Sequence, residues 1–540
     1  MTTEKGVQPG ALVSKAEERR VIFASSLGTV FEWYDFYLYA VLAPFFSKLF
    51  FPPGHDTAAL LAAFTTYAAG FLVRPFGAIV FGRIGDLVGR KYTFLITITV
   101  MGLSTFLVGL LPTFGAIGWA APTLLTLLRL IQGLALGGEY GGAATYVAEH
   151  SPNDRRGYNT SWIQTTATLG LFLALVVIGL CRGNFAKATW ESWGWRIPFL
   201  ISIVLLVFSI YIRLKLQESP VFKRMKAEGR GSKQPLVESF LRYPNNKYVL
   251  LALLGATAGQ GVVWYTGQFW ALFFLGTTLH LDYVYVYILI GASLVLGTPF
   301  FIFFGWLSDK IGRLKIILAG CLIAAVTYIP IYKALTHYVN PALEAFTEKT
   351  PITVAADDCH THIFPGPWTK YSPCDNAKDF LTKQGLQFKT LPAVAGEAVV
   401  VMVGGTEFKG WDKKTTEPKV LETLKAGGFP ATADKNAVNY PMTILLLFIM
   451  VIYVTMVYGP IAAYLVELFP TKIRYTSMSL PYHIGNGWFG GMLPLTATAM
   501  MAASGNIYQG LWYPIVVSVL TVVVGVIFLR ERPAAFDIHT

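Results

Sequence analysis

Gly82-Arg83-Ile84-Gly85-Asp86-Leu87-Val88-Gly89-Arg90-Lys91 stands between two long apolar runs, and its pattern returns as Gly305-Trp306-Leu307-Ser308-Asp309-Lys310-Ile311-Gly312-Arg313. Gly, Asp, Gly and Arg keep one spacing, G-x-x-x-D-x-x-G-R, and each copy follows the second apolar run of its half, so the chain reads as an internal duplication. Each copy reads as a tight turn between two membrane helices. Glycine permits the turn and the close approach of helices. The Asp accepts from backbone N–H groups at a helix start or pairs with Arg. The basic residues hold the turn on the cytoplasmic side. Asp86, Arg90, Asp309 and Arg313 are therefore expected to serve gating, with no substrate contact.

Composition points the same way. A soluble protein carries roughly 25% charged residues. This chain of 540 residues carries 14%, is 54% hydrophobic, and has a mean hydropathy of +0.51. It reads as an all-α polytopic membrane protein whose surroundings are a lipid bilayer. The net charge of +12 is not a nucleic-acid signature, because the basic residues cluster in short gaps between apolar runs. Residues 1–20 are polar, with Lys5, Lys15, Arg19 and Arg20 ahead of the first run, and are expected to stay in the cytoplasm as an uncleaved tail. There is no nucleotide-binding loop, metal-protease motif or nucleophile elbow, so neither an enzyme nor an ATP-driven pump is expected, and no cofactor.

Apolar runs long enough to cross fall near 21–48, 58–82, 92–112, 119–147, 160–182, 196–214, 248–276, 283–305, 316–335, 442–468, 475–501 and 507–529. They predict twelve spans in two pseudo-symmetric six-helix halves, 21–214 and 248–529, joined by a charged linker at 215–247 and followed by a tail at 530–540. With the N-terminus inside, Arg90, Lys91, Arg155, Arg156, the linker, Lys310, Arg313, Lys315, Lys472 and Arg474 are all cytoplasmic, while the outer gaps 113–118 and 277–282 lack Lys and Arg. Both termini are thus expected in the cytoplasm.

The second half is interrupted by polar residues 336–441, expected outside as a small folded insert between helices 7–9 (248–335) and 10–12 (442–529). Within it 387–390 and 398–403 read as strands and 418–425 as a helix. Cys359 and Cys374 are expected to form a disulfide there, since that side permits oxidation. Asp357, Asp358, His360 and His362 read as a solvated turn, and no metal is expected.

Further stretches resemble the metabolite:proton symporter family of the major facilitator superfamily. They are Phe31-Glu32-Trp33-Tyr34-Asp35-Phe36, Arg129-Leu130-Ile131-Gln132-Gly133 with Gly137-Gly138-Glu139-Tyr140-Gly141, Trp193-Gly194-Trp195-Arg196-Ile197-Pro198-Phe199, Gln217-Glu218-Ser219-Pro220, and Glu467-Leu468-Phe469-Pro470-Thr471-Lys472-Ile473-Arg474. That family includes the α-ketoglutarate permease, the citrate and shikimate transporters and the proline/betaine transporter. The resemblance covers nearly everything except 336–441. It implies a major facilitator fold in a bacterial inner membrane, and it raises Arg90 and Arg196 as residues that matter to anion transport. The few residues after Arg532 are not the long coiled-coil tail of the osmosensing branch, so osmotic sensing is not expected.

Ionisable residues inside a membrane need a partner or a function. Glu32 and Asp35, three apart on one face of span one, and Glu139 of span four are the proton-coupling candidates. Arg74, Arg129 and Arg196 are candidates for a substrate carboxylate, with Arg74 and Arg129 also expected to pair with the acids of span one. In the second half Gln260, Trp264, Tyr265, Gln268, Tyr458 and Asn486 are candidates for the wall of a polar cavity, and His483 is a further titratable group. The leading expectation is a monomeric proton-coupled importer of a small organic acid, whose partners are that substrate and protons. Uptake of a zwitterion such as betaine or proline, caged by aromatic rings, is the runner-up. A receptor reading ligands through its insert is the third reading.

Overall fold

The computed structural model describes residues 15–53, 56–214, 220–229, 231–360, 362, 369–393 and 396–530. Ten helical segments meet the length and apolarity of a membrane span: Ala59–Leu87, Lys91–Leu110, Ala120–Glu149, Asn153–Asn184, Gly194–Leu214, Asn245–Thr278, Tyr283–Ile311, Arg313–Val339, Tyr440–Leu468 and Gln509–Phe528. Lys15–Phe50 and residues 474–504 are helical over the same length. Glu32 and Asp35 in the former, and Tyr482, His483 and Asn486 in the latter, dilute their hydropathy. These twelve helices are the first to twelfth spans in chain order.

Several spans outrun their apolar cores. The ninth reaches Val339 rather than 335, because Tyr328, Tyr332, Leu335 and Val339 keep one buried stripe past the polar Lys333 and His337. The fifth starts helical at Arg156 rather than 160, since its polar first turn is covered by the eighth span. Prolines stand inside four of the helices, Pro44, Pro299, Pro330 and Pro481, as membrane helices tolerate. Thr257 Oγ1 donates to the Pro481 carbonyl at 2.8 Å, tying the seventh span to the eleventh.

The insert contains a four-stranded sheet in the order β2-β1-β3-β4, with β1 Ile352–Ala355, β2 Lys389–Leu391, β3 Val400–Val403 and β4 Thr406–Lys409. β1 runs parallel to β2 and antiparallel to β3, and β3 and β4 form a hairpin. Helices Pro341–Lys349, Pro373–Lys383 and Thr416–Ala426 surround it. The sequence pattern reads two of the four strands and one of the three helices. β1 and Pro373–Lys383 lie outside that reading, although a Ser372/Asp375 capping box marks the start of the helix. Cys359 and Cys374 are joined, tying the loop after β1 to the start of that helix.

Candidate functional site

The two faces of the bundle differ. On the face that bears the repeated turns, the halves are locked together. Asp86 Oδ2, in the second span, accepts from the backbone N–H of Thr476 at 3.0 Å and from its hydroxyl at 2.6 Å. Asp309, its counterpart in the eighth span, accepts from the N–H groups of Gly157 and Tyr158, both at 2.8 Å. Each Asp therefore caps a helix of the opposite half, the eleventh span in one case and the fifth in the other. The repeated glycines Gly89 and Gly312 turn the chain at φ 149° and 107°.

A second pair of contacts crosses the same seam. Glu467 accepts from Arg313 at 2.8 Å and pairs with Arg156 at 3.4 Å, and Arg474 pairs with Glu149 at 3.6 Å. Arg313 also binds Asp309 at 2.9 Å. The four residues Glu149, Arg156, Glu467 and Arg474 occupy a second internal repeat, E-x-x-P-x-x-x-R, at 149–156 and 467–474. Sequence reasoning noted its basic residues and missed the repeat, which was the available signal. Small residues let the halves close. A Cβ on Gly141 would sit 2.0 Å from Ser479 Oγ, and one on Gly305 would sit 2.4 Å from Ser161 Cβ. The side chains of Arg90 and Glu139 and the 215–219 stretch lie outside the described residues.

Midway through the bundle, Arg74 and Arg129 are completely buried. Phe36 of the first span lies between them, its ring centroid 4.3 Å from the Arg74 guanidinium carbon and 4.6 Å from that of Arg129. Phe71 packs on Arg74 at 4.0 Å, and Tyr39 and Tyr67 on Arg129 at 4.8 and 5.3 Å. Arg129 Nη1 donates to Gln132 Oε1 at 2.7 Å, and Gln132 in turn donates to Thr105 Oγ1. The other guanidinium nitrogens have no hydrogen-bond partner among the described residues, and neither Arg pairs with a carboxylate there. The Tyr67 hydroxyl, Trp264 Nε1 and both ring nitrogens of His483 are likewise unpartnered. Arg74 comes from the first half, and Tyr265 of the seventh span packs on its neighbour Phe71, 5.4 Å between centroids, so both halves contribute.

The acids of the first span do not face this cage, which corrects the expected pairing. Glu32 forms its ion pair with Arg213 of the sixth span, a residue the sequence reading left out although it stands in the last turn of an apolar run. Asp35 faces Ser202 of the same span. Glu32 and Asp35 do share a helical face, and that face looks into the first half. Phe36 and Tyr37, one step round the helix, face the centre. Glu32 is accordingly held in an ion pair within the first half. Asp35 is buried with no cationic partner among the described residues.

Arg196 is also placed elsewhere. Its Nη1 donates to the Gly109 and Leu111 carbonyls at 2.8 and 2.7 Å, capping the third span, and its side chain lies on Trp195. It contacts no cage residue. Gln260 and Asn486 satisfy each other through two hydrogen bonds between their amides, 2.9 and 2.8 Å, pinning the seventh span to the eleventh. Trp264 stacks on Tyr37 across the seam, and Gln268 Nε2 donates to Thr168 Oγ1 at 3.4 Å. The Tyr458 hydroxyl shares a 2.7 Å bond with that of Tyr482, which stacks on Tyr140 at 3.5 Å. The seventh span carries π-helical turns at Leu253–Thr257, Thr266–Trp270 and Phe274–Thr278, and the eleventh one at Ile484–Gly491. Such turns concentrate at functional sites.

Toward the insert, the cage is closed by rings from both halves: Tyr37 on Phe269 at 5.1 Å and Phe64 on Phe273 at 4.7 Å. Above this layer a cavity of about 790 Å³ lies between the halves and the insert. The arrangement is a buried cationic cage midway through the bundle, with the polar contacts of the turn face on one side and aromatic contacts between the halves on the other.

Comparison with known proteins agrees with this architecture. The Major Facilitator Superfamily family model matches residues 25–336. The shikimate transporter of Escherichia coli (strain K12) is 35% identical over 329 residues, 60% of this chain and 74% of that one. The alpha-ketoglutarate permease of the same organism is 34% identical, covering 63% and 77%, and its proline/betaine transporter 33%, covering 62% and 69%. Among solved structures, the fold is similar to the proton:xylose symporter XylE bound to 6-bromo-6-deoxy-D-glucose, with a TM-score of 0.62, 14% identity, and coverage of 97% and 98%. It is also similar to XylE from E. coli in a partially occluded inward-open conformation, with a TM-score of 0.60, 12% identity, and coverage of 95% and 100%. The duplicated halves, the paired turns and these likenesses lead to one conclusion: the chain is a multi-pass membrane protein that belongs to the major facilitator superfamily of secondary transporters.

Proposed function

We propose that the protein imports a small organic anion together with a proton, by rocking its two halves around the Arg74–Arg129 cage. One observation carries the reading: two fully buried guanidinium groups share the Phe36 ring and have no carboxylate partner among the described residues. Two uncompensated like charges in a low-dielectric interior are costly. A carboxylate bridging the two forks relieves that cost and makes charge-assisted bonds of the strong kind. The surrounding orphan atoms are donors or can act as donors, as an oxyanion requires.

Asp35 is the proton carrier in this reading. It is a buried acid without a cation beside it among the described residues, which leaves it free to take up a proton in the transport cycle. The expected direct competition with Arg74 or Arg129 is replaced by coupling through the first span, whose next residue, Phe36, is the ring that both guanidiniums touch. The turn face is assigned to the cytoplasm by its basic residues and the insert face to the outside, in a bacterial inner membrane. The interlocked turn face and the cavity beneath the insert then correspond to a state closed to the cytoplasm.

A zwitterion is the second reading. Its carboxylate would take the Arg pair and its ammonium the Tyr37, Trp264 and Phe269 faces, which form one cluster across the seam. Uptake of labelled shikimate, α-ketoglutarate, proline and betaine into proteoliposomes under an imposed pH gradient decides. Accumulation of an acid, lost in Arg129→Gln, supports the anion reading. Accumulation of betaine or proline without competition by either acid replaces it with the zwitterion reading, and no movement of any label favours a receptor.

A further inference from the structure

The cavity beneath the insert holds a second set of buried polar atoms that the central cage does not use. Arg182, at the end of the fifth span, lies with its guanidinium carbon 5.2 Å from the Tyr283 ring centroid and 5.8 Å from that of Trp190. Its Nη1 donates to the Tyr287 hydroxyl at 3.3 Å, and it has no carboxylate partner among the described residues. Around it the Trp190 and Trp270 indole N–H groups, the Tyr283 hydroxyl, His280 Nε2 and the Thr382 hydroxyl are buried without hydrogen-bond partners among the described residues. A buried polar group left unsatisfied is costly, so five around one cavity mark a place built to meet a ligand.

The charge balance has a sign. Lys48, Arg182, Lys187 and Lys383 line the cavity against Glu191 and Asp282. Asp282 is already engaged, because its Oδ1 accepts from the Val284 N–H at 2.9 Å as the cap of the eighth span. The lining is therefore positive, aromatic and rich in donors, like the central cage, and is separated from it by the Tyr37–Phe269 and Phe64–Phe273 contacts.

The insert is fixed over this cavity by the second half. Asn340 Nδ2 donates to the Leu279 carbonyl at 3.0 Å, and the Ala433 N–H to the His280 carbonyl at 3.1 Å. The Phe388 N–H donates to the Gly505 carbonyl at 2.9 Å, and Lys378 Nζ to that of Ala503 at 2.8 Å. The loop it grips carries His280 at φ 55°, the one described residue other than glycine in that region. Thr382 and Lys383, at the end of the insert helix Pro373–Lys383, are thus held at the cavity wall opposite Arg182 of the other half.

We propose that this cavity is a second binding site, for a small organic anion with at least one carboxylate, in which Arg182 takes the carboxylate and the insert completes the wall through Thr382. The proposal rests on the anionic reading of the transported substrate. The site holds the anion outside the aromatic layer before the layer parts, and the insert acts as a capture element. The indole and phenol donors fit the remaining oxygens, and the stacked rings fit the ligand's carbon frame.

Equilibrium binding of radiolabelled citrate, α-ketoglutarate and shikimate to the full chain in nanodiscs tests this. The expected result is two saturable sites per chain for at least one of the three acids. Arg182→Gln and the isosteric Thr382→Val each weaken one site by about tenfold and leave the other within about twofold, while Arg129→Gln removes the other. A single site that Arg129→Gln abolishes and that Arg182→Gln and Thr382→Val leave unchanged overturns the second site, with the proposed transport site standing. A single site abolished by Arg182→Gln and unchanged in Arg129→Gln supports the outer site and overturns the central one. No saturable binding of any of the three acids, in protein that unfolds at the normal temperature, overturns both.

Discussion

Asp86 and Thr476 lie 390 positions apart, and one carboxylate oxygen of the first receives both the backbone N–H and the hydroxyl of the second. Asp309 repeats the relationship toward Gly157 and Tyr158. The Asp of each repeated turn is thus a cap for a helix that belongs to the other half. In the proposed rocking cycle the contact exists only while that face is closed, and so loads the equilibrium toward that state.

Hydrogen bonds to a charged group contribute about 1.5–3 kcal/mol each. Asp86→Asn keeps the shape and removes the charge, so it is expected to shift the population by about tenfold or more toward the state open on the turn face. Cysteines placed on the fifth and eleventh spans near that face should label faster, transport should slow, and equilibrium substrate affinity should stay within a few-fold. A large loss of affinity at normal exchange rates would place Asp86 in the substrate site instead.

Arg129→Lys is expected to behave as a loss. The guanidinium is held flat by Gln132 and by the rings of Phe36, Tyr39 and Tyr67, and an ammonium offers neither the fork nor the plane. Binding of the transported acid should weaken by about tenfold or more, with thermal stability near that of the parent protein. Retention of full affinity in the Lys variant, measured by equilibrium binding, contradicts the bidentate reading.

Glu32 and Asp35 should separate cleanly. Arg213→Met alone leaves Glu32 buried and unpaired, at a cost of about 3–5 kcal/mol, and folded yield should fall. Glu32→Gln combined with Arg213→Met should recover it and retain pH-driven accumulation. Asp35→Asn should fold normally, lose accumulation driven by a pH gradient, and spare substrate exchange. Accumulation with unchanged pH dependence in Asp35→Asn would move the coupling site to Glu139 or His483.

The insert carries its own pH dependence. Burial alone would push the Asp375 carboxyl up, but the His360 and Ser372 backbone N–H groups, at 2.7 and 2.9 Å, and the His362 ring, at 2.9 Å, outweigh it and hold the carboxyl below its ordinary value. A carboxylate with a depressed folded-state pKa stabilises the fold fully above its unfolded value of about 3.9, and the contribution is lost as pH falls through the lower folded value. Amide exchange protection in Pro373–Lys383 of the full chain, corrected for intrinsic rates, should hold from neutral pH to about pH 4 and then drop. Asp375→Asn should be less protected at neutral pH and show no such drop.

Much of the molecule follows from local pattern alone. Twelve helices, two halves and an inserted domain are set by apolar runs about 20 residues long and by a charged turn that occurs twice, because a bilayer forces each such run into a helix of its own. Arg74 and Arg129 are conspicuous for the same reason, as cations in runs where charge is costly. That Glu32 and Asp35 share a face follows from helical periodicity. Which neighbour that face meets depends on how the first span is rotated against the sixth, and no residue of the first span encodes that by itself. The same limit applies to the gate: the E-x-x-P-x-x-x-R repeat is in the chain, but the exchange of its charges between halves, Glu149 to Arg474 and Glu467 to Arg156, arises only when two separately folded bundles meet about their pseudo-twofold. Arg196 and the Gln260–Asn486 pair are polar residues in promising positions that tertiary contacts consume, one as a cap and the other as a clasp. Sequence determined which charges enter the membrane. Only the packing of helices decided which were paired and which were left without a carboxylate partner among the described residues.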